Sequence, residues 1–349
     1  MALHGASACL PRRHMTGFEL YLNLNAKKFD DYLLTFFANG SHPDMARYLY
    51  DPLRTFSDNA GKRHRPLICL LACEAVGGDP KKAWPSAAAI EHFHTAALIH
   101  DDIEDSSLTR RDQPCMHITE GLGLAINAGD LALALVCGTV IDDEGLEDTI
   151  KLRVLAELVA MTTRTIEGQA LDIGWARDDR FDLTVDDYLV MANHKTAFYS
   201  GAIPLAVGAM IGGGTEEQVE VLRDFGMASG LAFQIQDDVL NLVGTKESTK
   251  KDFRSDLTEG KRTLVAIHAL QNSPRRERLL ELLSSRTVDP VELQEIVDIM
   301  AEAGSLDYAR EYARALVMGA KHRLQDAVSP SKARTLLLSM ADFFVKRSS

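Results

Sequence analysis

The chain has 349 residues, enough for two average domains or one large helical core, and its 50 acidic residues outnumber 38 lysines and arginines to give a formal net charge of −12. That balance excludes nucleic acid as a partner, because a phosphate backbone needs a basic face to neutralise it; any phosphate bound here must be held by metal ions or local cations. Five cysteines, Cys9, Cys69, Cys73, Cys115 and Cys137, form an odd set without a C-x-x-C pair, which reads as reduced thiols in a cytoplasmic protein and not as a zinc site.

The opening MALHGASACLPRRHMTG lacks acidic residues and has no continuous apolar run like a signal peptide's. Residues 1–16 therefore read as a disordered leader, with Met15 available as an alternative start. Beyond it, apolar residues at three-to-four spacing predict helices over 18–37, 66–76, 85–104, 125–141, 152–176, 185–210, 219–243, 263–271, 290–302, 306–327 and 331–345. Breakers such as GGDP, IGGGTEE and QNSPRR punctuate them. The longest apolar runs, 131–141 and 201–214, are too short to cross a bilayer and are rich in Ala and Gly, so they read as closely packed core helices and no transmembrane segment is expected. The polar stretch GTKESTKKDFRSDLTEGKR, 244–262, has no apolar face and reads as a mobile loop of the kind that closes over a ligand. No linker of biased composition divides the chain and no repeat recurs, so residues 17–349 are expected to form one large all-α domain.

Chemistry concentrates in two acidic clusters. HDDIED sets Asp101, Asp102 and Asp105 at i, i+1 and i+4, ending the apolar run AALIH; FQIQDDVLN repeats the spacing with Asp237, Asp238 and Asn241. One such cluster is a solvated helix end. Two, each ending an apolar helix face, suit hard divalent cations, and Mg²⁺ keeps waters and bridges to substrate phosphates. Cations stand ready around them: Lys62, Arg63 and Arg65 in GKRHRP, Arg110 and Arg111, Lys195 in HKTAFY, and Lys251 and Lys261 in the polar stretch. Arginine grips phosphate oxygens in pairs, whereas lysine acts as a point charge.

With these motifs in order, the sequence resembles the trans-type isoprenyl diphosphate synthases, the polyprenyl synthetase family, and most of all those that make geranylgeranyl diphosphate. DDIED followed by RR resembles the family's first aspartate-rich motif and FQIQDDVLN its second; GKRHRP, KTA and DLTEGK fall in the family's order, and GQALD and AINAGD are similar to lesser signatures. The resemblance implies a single large helical bundle of the isoprenoid synthase type around a central apolar cavity, acting as a homodimer with about three Mg²⁺ ions in each site. It implies that Asp101, Asp105 and Asp237 bind Mg²⁺, with Asp102, Asp238 and Asn241 close by. Arg110, Lys195, Lys251 and Lys261 would contact the allylic diphosphate, with Thr196 and Gln234 beside its reacting end, and Lys62, Arg65, His94 and Arg111 would hold isopentenyl diphosphate. Three positions depart from the family pattern: Asn241 stands for Asp, and Asp112 and Arg254 stand where Gly is usual.

Ionising an allylic diphosphate creates a carbocation and an anionic leaving group, so metals and cations must stabilise the leaving group while an apolar pocket keeps water from the cation. On the helix leading to Asp101, Ala97 and Ala96 come first and Phe93 lies deeper, roughly 12 Å away at 1.5 Å per residue. In the family a bulky residue at the Ala96 or Ala97 position favours the farnesyl product. Its absence here points to a longer, geranylgeranyl product with Phe93 as the floor.

Blander readings stand beside these. Alone, His94 reads equally as a packed core histidine, Thr196 and Gln234 as satisfying backbone groups, Gln169 and Asp172 as a local structural pair, and Cys69 and Cys73 as packing. The nearest rival function is a class I terpene cyclase, which would need Glu eight residues after Asp237, where Thr245 stands. A silent partner subunit would show eroded acidic motifs, and both are intact.

Overall fold

The computed structural model describes residues 15–37, 40–59, 61–244 and 254–346, nearly all of them helical. The leader up to residue 14 lies outside the described residues. Thr16, predicted to belong to it, is part of the fold: its hydroxyl accepts from Glu19 N while Glu19 accepts from Thr16 N, a capping box that starts α1 (Gly17–Leu33). The predicted helix over 18–37 ends early, in a 3₁₀ turn at Leu34–Phe36.

After two helical pieces at Asp51–Asp58 and its lead-in come α2 (His64–Ala75), α3 (Trp84–Glu104), α4 (Leu122–Ile141) and α5 (Asp148–Arg177). Then follow α6 (Val185–Ala192), a π-helical stretch at Asn193–Ala202, α7 (Ile203–Ile211) and α8 (Glu216–Val243). The C-terminal part is α9 (Leu264–Asn272), α10 (Arg276–Ser285), α11 (Pro290–Glu302), α12 (Ser305–Ala327) and α13 (Lys332–Lys346). Most predicted helices appear with ends moved by a few residues. The segment predicted as one helix over 185–210 is broken by the π stretch, while Asp51–Asp58 and α10 were not foreseen. The first buries only Leu53 and Ser57, too few for a period to show, and the second follows the breaker QNSPRR.

Around α8 the π stretch, α7 and α12 pack closely, while α2 lies against α7 and α3 against α4. The main core joins these layers through side chains such as Leu71, Leu158, Tyr188, Phe225 and Leu324. Each large apolar side chain so buried contributes about 1.5–3 kcal/mol. The backbones of the π stretch and α8 touch at Gly201 and Gly226, where a side-chain carbon on either would collide with the other's carbonyl. A smaller cluster between α3 and α4 holds Phe37, Leu53, Ala96, Ile99, Ala125 and Ala128.

Among the described residues α4 alone is long and apolar enough to cross a membrane by length and composition, with a mean hydropathy of 1.9. The apolar run 131–141, judged too short in the sequence, forms the C-terminal half of this 20-residue helix. The helix packs along α3, and one of its faces, Leu122, Ile126 and Ile141, is bare.

The polar stretch 244–262 is not a free loop over its described part. Residues 245–253, and with them Lys251, lie outside the described residues. From Arg254 onward the chain is tied down. Arg254 donates to Leu242 O at 3.2 Å and Gln294 Oε1 at 2.6 Å, and Asn241 donates to Ser255 Oγ and accepts from Asp256 N. These anchors come from distant elements, so composition could not reveal them. Asn241 is thereby committed to this segment, both donating and accepting as a carboxylate could not.

Both departures from glycine sit on left-handed backbone. Asp112 has φ +62° and Arg254 φ +62°, the region that glycine enters freely and other residues only at a cost. Asp112 follows Arg111 (φ +54°) in the tight turn between Thr109–Arg110 and Gln113–Pro114, which form a two-residue antiparallel ladder. That hairpin, with both turn residues left-handed, fixes where Arg110 and Arg111 point.

Candidate active site

A cavity of about 770 Å³ runs into the bundle, walled by α3, α5, α8, the π stretch and the segment 256–263. Asp101 and Asp105 reach it from the end of α3, and Asp237 from α8. The two acidic clusters thus face one space, as the sequence expectation required. Asp102 is turned inward beneath them and buried.

Cations lie directly against the carboxylates. Arg110 bridges Asp102 (2.5 Å) and Asp101 (3.0 Å), using its fork to hold two acids of one helix turn. Burial pushes the Asp102 carboxyl up from its usual range, against the pull of Arg110. Lys261 meets Asp105 at 2.8 Å and Asp172 at 3.2 Å, and Lys195 meets Asp172 at 2.5 Å. Gln169 donates to Asp101 (3.3 Å) and Glu104 (2.6 Å). Gln169 and Asp172 are therefore not a local pair: each reaches across to a different wall. What brings Asp172 to Lys195 is Gly168, one turn earlier, where any side chain would strike the backbone of Lys195. The signal in the sequence was two polar residues three apart, and so on one face of the helix.

On the α8 side a chain of hydrogen bonds orders the polar groups. Thr196 Oγ1 donates to Gln234 Oε1 (2.7 Å), Gln234 Nε2 donates to Asp238 Oδ1 (2.7 Å), and the buried Tyr188 hydroxyl donates to Asp238 Oδ2 (2.8 Å). Burial, then the charge of Asp256, drives the Asp238 carboxyl well above its normal range. Tyr188 was missed in the sequence because an aromatic on a core face carries no sign of its hydroxyl's partner.

The other cationic group lies around the start of α2, where Arg63 takes the left-handed conformation (φ +49°). Arg63, counted among the site cations from sequence, is spent inside the protein on Asp30 (2.5 Å), Glu91 (2.6 Å) and the carbonyl of Ser57. The sharp turn it fixes sends Arg65 into the cavity wall, where it donates to Ser200 Oγ and Tyr199 Oη and meets His94 Nε2 at 3.0 Å. A guanidinium only donates, so His94 Nε2 accepts and the ring is neutral. Burial, reinforced by Arg65, holds it well below the usual histidine range. Arg111 also lines the cavity, anchored on Asn59 O at 2.7 Å. Lys62 does not line it: its ammonium lies 5.8 Å over the Phe343 ring at the outer edge.

Below the polar rim the walls become apolar through Ala97, Phe93, Leu133 and Tyr199. Phe93 and Tyr199 meet edge to face at 5.5 Å. Ala96 departs from its expected place. It faces α4 in the smaller cluster, because one residue of helix turns it about 100° from Ala97.

Paired carboxylates and gathered cations over an apolar well define a helical-bundle enzyme for anionic substrates with long apolar tails. The comparison with known proteins gives the particular family: the chain belongs to the polyprenyl synthetases, whose family profile matches residues 46–300, and it is a prenyltransferase of the trans-isoprenyl diphosphate synthase class. It is 41% identical over 289 residues to a short chain isoprenyl diphosphate synthase of Methanothermobacter thermautotrophicus, covering 82% of this chain and 86% of the relative. Its fold matches geranylgeranyl pyrophosphate synthetase from Pyrococcus horikoshii with a TM-score of 0.85 and 33% identity, over 95% of this chain and 98% of the other. It also matches geranylgeranyl pyrophosphate synthase from Corynebacterium glutamicum, solved with isoprenyl diphosphate and magnesium, with a TM-score of 0.83 and 28% identity over 96% and 99%.

Proposed function

We propose that the enzyme joins isopentenyl diphosphate head-to-tail to an allylic diphosphate, dimethylallyl, geranyl or farnesyl, and releases geranylgeranyl diphosphate. The observation that carries this reading is the meeting of Asp101, Asp105 and Asp237 in one cavity, with Lys195, Lys261 and Arg110 around them and an apolar well beneath.

The donor set fits Mg²⁺. Asp101, Asp105 and Asp237 all line the cavity, and carboxylate oxygens are the hard ligands that an ion completing its shell with waters and substrate phosphates takes. Asp101, Asp105 and Asp237 would hold it, about three ions in all; when bound, it supplies positive charge against the departing diphosphate.

Arg110, Lys195 and Lys261 hold the allylic diphosphate, with Lys251 assigned by its motif, and lower the barrier to breaking the carbon–oxygen bond. Arg65, His94 and Arg111, with Lys62 assigned by its motif, hold isopentenyl diphosphate. Its double bond attacks the allylic cation, and the proton then lost passes to the released diphosphate. Thr196 and Gln234 lie beside the reacting carbon, while Ala97, Phe93 and Tyr199 exclude water from the cation. Phe93 closes the well, and the small Ala97 leaves room for a tail longer than farnesyl.

The same reading makes the enzyme a cytoplasmic homodimer. Its support is the bare apolar stripe of α5, Leu152, Val159 and Ile166, beside the bare face of α4. The deciding experiment is incubation with isopentenyl diphosphate, each allylic starter in turn and Mg²⁺, followed by chromatography of the dephosphorylated products. Geranylgeraniol is expected. Consumption of geranylgeranyl diphosphate without isopentenyl diphosphate, with release of a hydrocarbon, would instead establish a cyclase.

A further inference from the structure

One buried carboxylate stands between two of the cavity's lysines. Asp172 is 3% exposed, and its Oδ2 is within 2.5 Å of Lys195 Nζ and 3.2 Å of Lys261 Nζ. The lysines come from separate elements, the π stretch and the segment after Glu259. Lys261 alone goes on to Asp105 and Glu259. Two ammonium groups placed so close repel, and burial adds the loss of hydration. Without a shared counter-charge they would separate.

We propose that Asp172 is the positioning residue for the allylic diphosphate site, aiming Lys195 and Lys261 into the cavity from a single buried carboxylate. The proposal rests on the reading that those lysines receive the allylic diphosphate. Asp172 itself holds the two close together, and it leaves two of the Lys195 donors for phosphate oxygens. Lys195 has three donors and Asp172 takes one, so the rest remain available to the substrate.

The electrostatics agree with the geometry. Burial lowers the Lys195 ammonium and Asp172 outweighs it, holding the group up at about 12. The other charged groups facing Lys195 are Lys261, which repels it, and Asp101 on α3. From α8, Asp237 and Asp238 face the same cavity, Asp238 being tied to Gln234 and Tyr188. Remove the carboxylate of Asp172 and burial and Lys261 together pull Lys195 downward, against the opposing charge of Asp101.

Asp172→Asn in the full chain with Mg²⁺ tests this. The expected results are a rise of about ten-fold or more in KM for the allylic diphosphate at pH 7, under two-fold change in KM for isopentenyl diphosphate, and a new alkaline fall in kcat/KM between about pH 8 and 10. Affinity for inorganic diphosphate, measured by calorimetry, should drop in step. Asp172→Glu should restore the alkaline limb. Equal rises in both KM values with an unshifted pH profile would mean a structural role only and overturn the proposal. If Asp172→Asn does not fold, Asp172→Glu carries the test: an allylic KM and diphosphate affinity both unchanged by moving the carboxylate would also overturn it. Lys195→Gln separates the two layers of the argument. If it leaves the allylic KM unchanged, the assignment of the lysine fails and the proposal with it; if it raises that KM while Asp172→Asn does not, only the proposal fails.

Discussion

Replacing Phe93 by Ala should lengthen the product by one isoprene unit. Phe93 stands eight residues before Asp101, about 12 Å along α3 at 1.5 Å per residue. An extended chain advances roughly 3.5 Å per three bonds, so a four-bond isoprene unit spans about 4.5 Å. The well above Phe93 thus holds between two and three units, and with the unit at the reaction zone a geranylgeranyl tail fills it. The Phe93 ring is about as deep as one unit is long, ~4–5 Å from its bond lengths, and truncation opens that depth beside Tyr199. The ring is nearly inaccessible, 2% exposed, so its loss also costs stability, up to about 3–5 kcal/mol. The assay is therefore the product distribution and not the rate: chromatography of dephosphorylated products from farnesyl diphosphate and radiolabelled isopentenyl diphosphate, with Phe93→Leu as the intermediate case. An unchanged product length in a folded Phe93→Ala enzyme removes Phe93 as the floor.

Chelation with EDTA should abolish turnover and added Mg²⁺ restore it; turnover in rigorously metal-free buffer would remove the role given to Asp101, Asp105 and Asp237. Arg63→Met should lower stability by about 3–5 kcal/mol, because Asp30 and Glu91 lose their shared counter-charge; an unaltered denaturation midpoint would contradict it. His92 is fully buried between Phe36 and Phe37 with both ring nitrogens unpartnered, and burial holds it at about 3. The unfolded chain takes up that proton near 6.5 and the native one only near 3. Its contribution is therefore intact above pH 6.5 and falls below it by about 1.4 kcal/mol per pH unit. In His92→Leu, denaturation midpoints at pH 7 and 5.5 should differ by correspondingly less than in the wild type, and an identical difference would refute the assignment. Leu152→Glu with Val159→Glu should halve the mass seen by sedimentation; an unchanged mass would move the dimer contact elsewhere.

The acidic clusters were legible because helix geometry makes i, i+1, i+4 aspartates a recognisable pattern, and their convergence in one cavity is what the two patterns together implied. The lengths of α3, α8 and α11 were legible for the same reason, through apolar spacing. What could not be read was which charges serve the fold. Arg63 and Arg65 are two residues apart and chemically alike, yet one is consumed by Asp30 and Glu91 while the other reaches the cavity. Only the left-handed turn at Arg63 separates them. Asp172 was underread for the converse reason, since its partners lie 23 and 89 residues away in sequence. Ala96 shows the limit of a helical argument, because its azimuth depended on where α4 lies.

The π-helical stretch at Asn193–Ala202 has a bearing on how this enzyme could change. Wider turns there set the phase between the rods on either side, so that Lys195 and Thr196 look toward Asp172 and Gln234 while Pro204 onward still packs correctly on α2. Deleting a single residue such as Ala197 would remove an extra residue that the wide turns accommodate and relax the segment toward regular helix with better hydrogen bonding, yet swing Lys195 and Thr196 away from Asp172 and Gln234. The lesion would be a loss of aim in a protein that gained local regularity, which makes this stretch intolerant of length change even where its individual side chains can be exchanged.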